Sequence, residues 1–426
     1  MLHEATRSDG VLRVTAPVLL VKPIRAGEGV SYGHTWSAPA DGWTALIGIG
    51  YGNGVRRRAG NRATVLLGGE RRPIVGRVAM NALVVWIEGP EPGVAAGDVA
   101  VLVGDPEAGE PTIEEWAAAT AESVAETEAG FAGLLPGPPT PVPGASADID
   151  LGAYRRNLRL LRDRIAPAEL IAVVKNDAYG HGLAGILPAA LREGVATFAV
   201  QDLETGRAAR PLAPGARLIA WLWTPDELDE ARELRLELGV HSLADVEAVA
   251  DAYPGARVHL KIDTGLHRGG IAPDDWSAAA ERAVELDAAG AIEVAGVFTH
   301  LAEAGEASDS RQLAAFRSAV EEVQARLGRR VLRHAAASAA GYARPEARFD
   351  AVRLGAFTYG IAPGAGIGPA QLGLEPVMRY MVGDEVVFGS QLRGEPTLQE
   401  LADAEGTIGE ELAVRVPRGV ERRYRD

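Results

Sequence analysis

Apolar and polar positions change rhythm partway along the chain. Between residues 11 and 104 the apolar runs are short and broken by glycine and turn residues: "APVLLVKPI", "TALIGIGYG", "ATVLLGG", "PIVGRVAM", "ALVVWI" and "DVAVLVG". Closely spaced runs of this kind predict a small sheet or barrel. "TIEEWAAATAESVAE" (Thr112–Glu126) then predicts a helix, and "LLPGPPTPVPGASA" (Leu134–Ala147) a semi-extended linker rich in proline and glycine. Beyond it, apolar runs alternate with amphipathic segments rich in Ala, Leu, Arg and Glu. The runs are "ELIAVVK", "TFAVQD", "RLIAWLW", "ELGVHS", "ARVHLKIDTG", "IEVAGVFTHL", "LRHAAAS" and "AVRLGAFTYG". Eight strands separated by helices predict an α/β fold, a (β/α)8 TIM barrel, with a mainly β domain placed N-terminal to it. The expected division is a β-rich domain over 1–133, the linker over 134–147, the barrel over 148–380 and a residual strand–helix segment over 381–426.

The polar residues at the ends of the eight runs are Lys175, Asp202, Ser242, Asp263, Thr299, His300, Ser338 and Arg353. The C-terminal strand ends of such barrels form the active-site rim, so chemistry is expected there. A repeat brackets the barrel. "GDVAVLVGDPEAGEPTIEEWA" (Gly97–Ala117) resembles "GDEVVFGSQLRGEPTLQELA" (Gly383–Ala402), each a strand followed by GEPT and an acidic helix. One strand–helix piece on either side of a barrel is not a solenoid. It reads as the trace of a duplicated and trimmed domain.

Composition narrows the function. The 426 residues are enough for two or three domains, and 47% apolar residues suffice for a core. A net charge of −15 without long acidic blocks argues against nucleic acid or an anionic membrane as partner. The absence of cysteine excludes disulfides, thiol nucleophiles and thiolate metal sites. "MLHEATRSDG" shows no signal-peptide pattern, and no apolar stretch has the length of a membrane span, so a soluble cytoplasmic protein is expected. Of 43 basic residues, the only lysines are Lys22, Lys175 and Lys261. Arginine cannot supply a neutral amine, so a lysine kept in so arginine-rich a chain points to chemistry, above all where it ends an apolar run. A strand-end amine before a glycine-bearing loop suits a Schiff-base lysine; a surface lysine at a strand terminus is the plainer reading of Lys175.

"AVVKNDAYGHG" (Ala172–Gly182) resembles the pyridoxal-phosphate attachment motif of the alanine racemase family, the fold-type III enzymes. "HLKIDTGLHRGG" (His259–Gly270), "GVFTHLAEA" (Gly296–Ala304), "HAAASAA" (His334–Ala340) and "VRLGAFTYG" (Val352–Gly360) follow in the family's order. The resemblance implies pyridoxal 5'-phosphate as cofactor, joined to Lys175, which would also be one of two catalytic bases. Tyr179, Ser338, Gly355 and Ala356 would lie around the phosphate, with Tyr359 among the cofactor-binding residues. Arg353 would face the pyridine nitrogen, donating a hydrogen bond without giving up a proton. His300 would sit between Arg353 and the second base. Arg268 would reach the substrate carboxylate and be oriented by Lys261, a lysine that can be carbamylated in the family. The plainer alternatives are a strand-end ion pair for Arg353, a satisfied core histidine for His300 and a loop cap for Asp263.

Racemisation needs an acid/base on each face of the reacting carbon. The family takes its second base, a tyrosine, from a β-domain that follows the barrel. Here the matching pieces precede it: "GEGVSYGHTW" (Gly27–Trp36), "IGYGNGVRRR" (Ile49–Arg58) and "GRVAMNAL" (Gly76–Leu83). Tyr32 would be the second base, and Tyr51 and Met80 would hold substrate. The order implies circular permutation, with the repeat as its overlap. Departures are Asn53 and Asn81 where the family has aspartate, Ala337 where it has asparagine, and Glu410 where a tyrosine closes over the phosphate. The resemblance implies racemisation of a small amino acid, L-alanine to D-alanine foremost, for the cell wall, in a homodimer with a shared active site. Alternatives are a racemase for another amino acid, a decarboxylase of the same barrel type, and a cofactor-binding relative without racemase activity.

Overall fold

The short apolar runs at the start of the chain become strands β1 (Glu4–Ser8), β2 (Val11–Ile24), β3 (Gly42–Ile47), β4 (Thr64–Leu67), β5 (Glu70–Val75), β6 (Leu83–Glu88) and β7 (Val99–Val103) in a computed structural model that describes residues 3–8, 11–364 and 366–426. Their pairings are antiparallel, in the order β1-β2-β3-β6-β5-β4-β7, and β2 also pairs with β7. Strands β2 to β7 therefore form a closed ring, which removes the exposed edges that invite pairing with other chains. Val14, Val65, Ile74, Val85, Ile87 and Leu102 are fully buried within it. The β4–β5 hairpin turns on Gly68 and Gly69, both at positive φ, as a two-residue turn of this kind requires.

The helix expected over Thr112–Glu126 is two helices, Ile113–Thr120 and Val124–Ala132, broken at Ala121 with φ 56°. Thr112 caps the first with Glu115, and Ser123 caps the second with Glu126. Two capping boxes in one apparently continuous pattern restart the helix. Trp116 and Phe131 then meet edge to face, 5.6 Å between centroids, and tie the pair to the ring's core.

All eight later runs are strands: β9 (Glu169–Val173), β10 (Thr197–Gln201), β11 (Arg217–Ala220), β12 (Glu237–Val240), β13 (Ala256–Lys261), β14 (Ile292–Phe298), β15 (Leu332–His334) and β16 (Ala351–Leu354). They form one eight-stranded sheet in the order β15-β14-β13-β12-β11-β10-β9-β16, a (β/α)8 barrel. The amides of Asp350 and Arg353 donate to the carbonyls of Arg333 and Ala336, both at 3.1 Å, linking the segments at the two ends of that order.

A third sheet, absent from the sequence expectation, runs β18-β17-β8-β19, with β8 at Ala145–Asp150, β17 at Met378–Val382, β18 at Glu385–Phe388 and β19 at Glu421–Arg425. It takes the last three linker residues, Ala145 to Ala147, into a strand, because β8 finds an antiparallel partner in β17 and a parallel one in β19. The chain divides into two compact units: Met1–Gly137, Leu222–Asp229 and Gly239–Val331 in the first; Pro138–Trp221, Glu230–Leu238 and Leu332–Asp426 in the second. The repeated piece occurs once in each. In the first it is β7 with the helix Ile113–Thr120; in the second it is β18 with the helix Leu398–Glu405, capped by Thr397 and Glu400.

Candidate functional site

The second unit holds Lys175. Strand β9 ends at Val173, and after Lys175 the chain makes a left-handed turn, with φ of 52° at Asn176, 51° at Asp177, 55° at Ala178 and 55° at Tyr179. Left-handed backbone costs a non-glycine residue roughly 1–2 kcal/mol, so four in succession persist only where the surroundings over-determine them. They do so here. Ala178 N–H donates to Val174 O, Gly180 N–H to Asn176 O and Gly182 N–H to Asp177 O, each at 2.9 Å, and Asp177 Oδ1 accepts from Leu183 N at 2.7 Å.

An aromatic stack backs the turn. Tyr359 lies 4.9 Å from Tyr179, 4.6 Å from His181 and 5.6 Å from Tyr154, centroid to centroid, and its hydroxyl donates to Val173 O at 2.9 Å. His181 is 1% exposed, and its Nδ1–H is shared between the carbonyls of Ala178 and Tyr179. Burial pushes its pKa down to about 4, so the ring is neutral near pH 7.

On the far side of Tyr179, Ser338 Oγ accepts from Gly355 N at 3.0 Å. A Cβ on Gly355 would run into the Tyr179 hydroxyl, so the missing side chain is what lets that hydroxyl approach the backbone. Lys175 Nζ stands 5.9 Å from the Tyr179 ring centroid. A hydroxyl pair beside glycine backbone, with an amine nearby, suits a phosphate-bearing carbonyl compound. Arg353 is 3% exposed and held by three acceptors: His334 Nδ1 at 2.9 Å, His334 O at 2.8 Å and Ala335 O at 2.9 Å. As acceptor to an arginine, His334 Nδ1 carries no proton.

The first unit holds Tyr32. The loop before and after it is pinned by Ser31 N–H to Leu266 O and Gly33 N–H to Ala302 O, both at 2.8 Å, and by His34 Nε2–H to Gly265 O at 2.8 Å. Tyr32 Oη lies 2.8 Å from His300 Nε2, with the rings edge to face. The Arg268 guanidinium carbon is 5.0 Å from the Tyr32 ring centroid, a cation–π distance. In the same unit Lys22 and Asp263 form a buried ion pair. Asp263 Oδ1 also accepts from Gly265 N at 3.0 Å and His267 N at 3.1 Å, fixing the turn that presents Arg268. Burial draws the Lys22 ammonium down to about 7, against the opposing influence of the Glu28 carboxylate.

Tyr51 and Met80 lie on adjoining segments of the same unit, joined by Tyr51 N–H to Ala79 O at 3.0 Å and Gly52 N–H to Met80 O at 2.7 Å. The neighbouring Asn81 is 6% exposed, and its Oδ1 has no hydrogen-bond partner among the described residues. A buried amide oxygen left so is a place for a ligand's donor. Lys261 is buried on β13, its Nζ 5.8 Å from the Phe298 ring.

The expected residues thus fall into two groups: Lys175, Tyr179, Ser338, Arg353, Gly355, Ala356 and Tyr359 in the second unit; Tyr32, Tyr51, Met80, Arg268 and His300 in the first. Sequence reasoning passed over the Lys22–Asp263 pair and the His334 acceptor. The scarcity of lysine covers Lys22 too, but Lys22 sits inside an apolar run and gives no strand-end signal.

Comparison with known proteins matches residues 149–363 to the model described as alanine racemase, N-terminal domain, and residues 11–133 to alanine racemase, C-terminal domain. The order of the two is swapped. The alanine racemase of Thermobifida fusca is 42% identical over 242 residues, which cover 55% of this chain and 64% of that protein. That of Streptomyces coelicolor is 42% identical over 248 residues, covering 55% and 63%. The chain so aligned spans less than two thirds of these relatives' length. Among solved structures, alanine racemase from D-cycloserine-producing Streptomyces lavendulae matches with a TM-score of 0.62 at 29% identity, over 67% of this chain and 98% of that one. The Streptomyces coelicolor structure matches with a TM-score of 0.61 at 32% identity, over 66% and 97%.

Proposed function

The chain belongs to the alanine racemase family, circularly permuted, and on that premise we propose that it interconverts L- and D-alanine using pyridoxal 5'-phosphate. The observation that carries the reading is Tyr32 Oη at 2.8 Å from His300 Nε2, beneath the Arg268 guanidinium. A protein that only binds the cofactor has no use for a second acid/base with its own proton partner.

Lys175 would hold the cofactor, with Tyr179, Ser338, Gly355 and Ala356 at its phosphate, Tyr359 behind Tyr179, and Arg353 at its ring nitrogen. When bound, that group makes the α-hydrogen of an attached amino acid acidic. The Nζ of Lys175 takes or returns that proton on one face, and the Tyr32 hydroxyl does so on the other. His300 Nε2 receives or returns the phenolic proton across their hydrogen bond. Arg268 offers a fork of donors to the substrate carboxylate. Arg353, locked on three acceptors and permanently charged, donates without protonating the ring nitrogen, which favours proton exchange over transamination. Tyr51 and Met80 would border a small substrate. The proposal extends to a cytoplasmic enzyme, pairing as a homodimer, that supplies D-alanine for the cell wall. Among the described residues no helix is long and apolar enough to cross a membrane.

Purified protein loaded with the cofactor should racemise alanine in both directions and exchange the α-hydrogen with deuterium from solvent. Lys175→Ala should abolish both directions, and Tyr32→Phe should suppress deuterium uptake by L-alanine far more than by D-alanine. The second reading, a cofactor-binding relative without activity, draws on Glu410 in the first turn of the helix Gly409–Arg415. Cofactor binding with no α-hydrogen exchange for either enantiomer would establish it instead.

A further inference from the structure

We infer that a single chain supplies both Tyr32 and the His300 it works with, so that the acid/base half of the site is completed without a second copy. The inference rests on the racemase reading for its functional meaning and on the first unit alone for its geometry.

Tyr32 does not reach its histidine as an isolated side chain. The segment from Lys22 to His34 is fastened along its length to the segment from Asp263 to Ala302 of the same chain. Two backbone amides, Ser31 and Gly33, donate across at 2.8 Å, and His34 adds a third bond at 2.8 Å. At one end lies the buried Lys22–Asp263 pair, with Lys22 7% and Asp263 4% exposed. Three residues on from Lys22, open to solvent, Arg25 Nη2 meets Asp274 Oδ2 at 2.6 Å. Separating the two segments would uncover a buried cation and a buried carboxylate together, which is costly for whichever charge is left without its partner. Such an attachment is that of a domain seated on its own barrel strands, not of one waiting for another subunit.

The test uses the absence of cysteine in the chain. Arg25→Cys and Asp274→Cys, made together, should react with a short bismaleimide to give a cross-linked product of single-chain mass. A mixture of the two single variants, co-expressed in one cell, should give no product of doubled mass. A doubled-mass product from that mixture overturns the inference, and this readout needs no enzymatic activity. As a second arm, His300→Ala and Tyr32→Phe chains are co-expressed. Racemisation of L-alanine should stay at the level of the separate variants. Recovery towards about a quarter of the native rate, the share of intact sites in randomly paired chains, overturns it. A protein that cross-links within one chain yet racemises nothing would refute the racemase reading while upholding the intramolecular pairing.

Discussion

At the scale of residues, burial decides what an ionisable side chain does. His181 sits next to the motif lysine's turn, yet it is enclosed, neutral and spent on two carbonyls, so it is a structural donor. Its pKa falls from 6.5 to about 4 on folding. Between those values the unfolded chain binds the extra proton, so stability is complete above about 6.5, declines as pH falls and levels off below about 4. The slope for one such histidine is at most about 1.4 kcal/mol per pH unit. Melting temperature followed by circular dichroism from pH 7 to 4 should therefore fall less steeply for His181→Gln than for the native chain. Lys175, Tyr32, Arg353 and Ser338 stood out as candidates because strand ends and family motifs mark them. The four-residue left-handed turn was not, because Asn, Asp, Ala and Tyr carry no sign of positive φ and only glycines announce it.

At the scale of elements, two ion pairs clamp the same loop to the same barrel segment under opposite conditions. Lys22–Asp263 is buried and Arg25–Asp274 is open to water. Lys22→Ala leaves a carboxylate buried without its cation and should cost about 3–5 kcal/mol in urea unfolding. Arg25→Ala should cost less than about 1 kcal/mol. Equal losses for the two would contradict the burial argument. The caps make a parallel case. Thr112→Ala and Thr397→Ala each remove one capping box from one copy of the repeat, and each should cost about 1 kcal/mol. The pattern of apolar runs located all eight barrel strands, since strands buried on both faces read as continuous apolar runs. It missed the break at Ala121 because helical periodicity continues through it, and the signal lay in the second Ser–Glu cap. It also ended the linker three residues late, because the partners that make β8 a strand lie far along the chain.

At the scale of the whole molecule, the proposed labour divides between the units. Ser338→Ala, in the second, should weaken cofactor affinity several-fold by fluorescence titration and leave KM for alanine at saturating cofactor little changed. Arg268→Ala, in the first, should raise KM and leave cofactor affinity unchanged. A crossed result would mean the roles are misassigned. The family model for the C-terminal domain lies ahead of that for the N-terminal domain, and sequence motifs alone sufficed to see this order. The pairing of β8 with β19 has a consequence for synthesis. Strands β1 to β7 find all their partners within Glu4–Val103, so the ring can close while the barrel is still untranslated. Ser146, by contrast, pairs with Glu421, and its strand must wait on the ribosome until that distant segment has been made. Translation thus delivers the tyrosine's domain folded before the sheet that holds β8 can be completed.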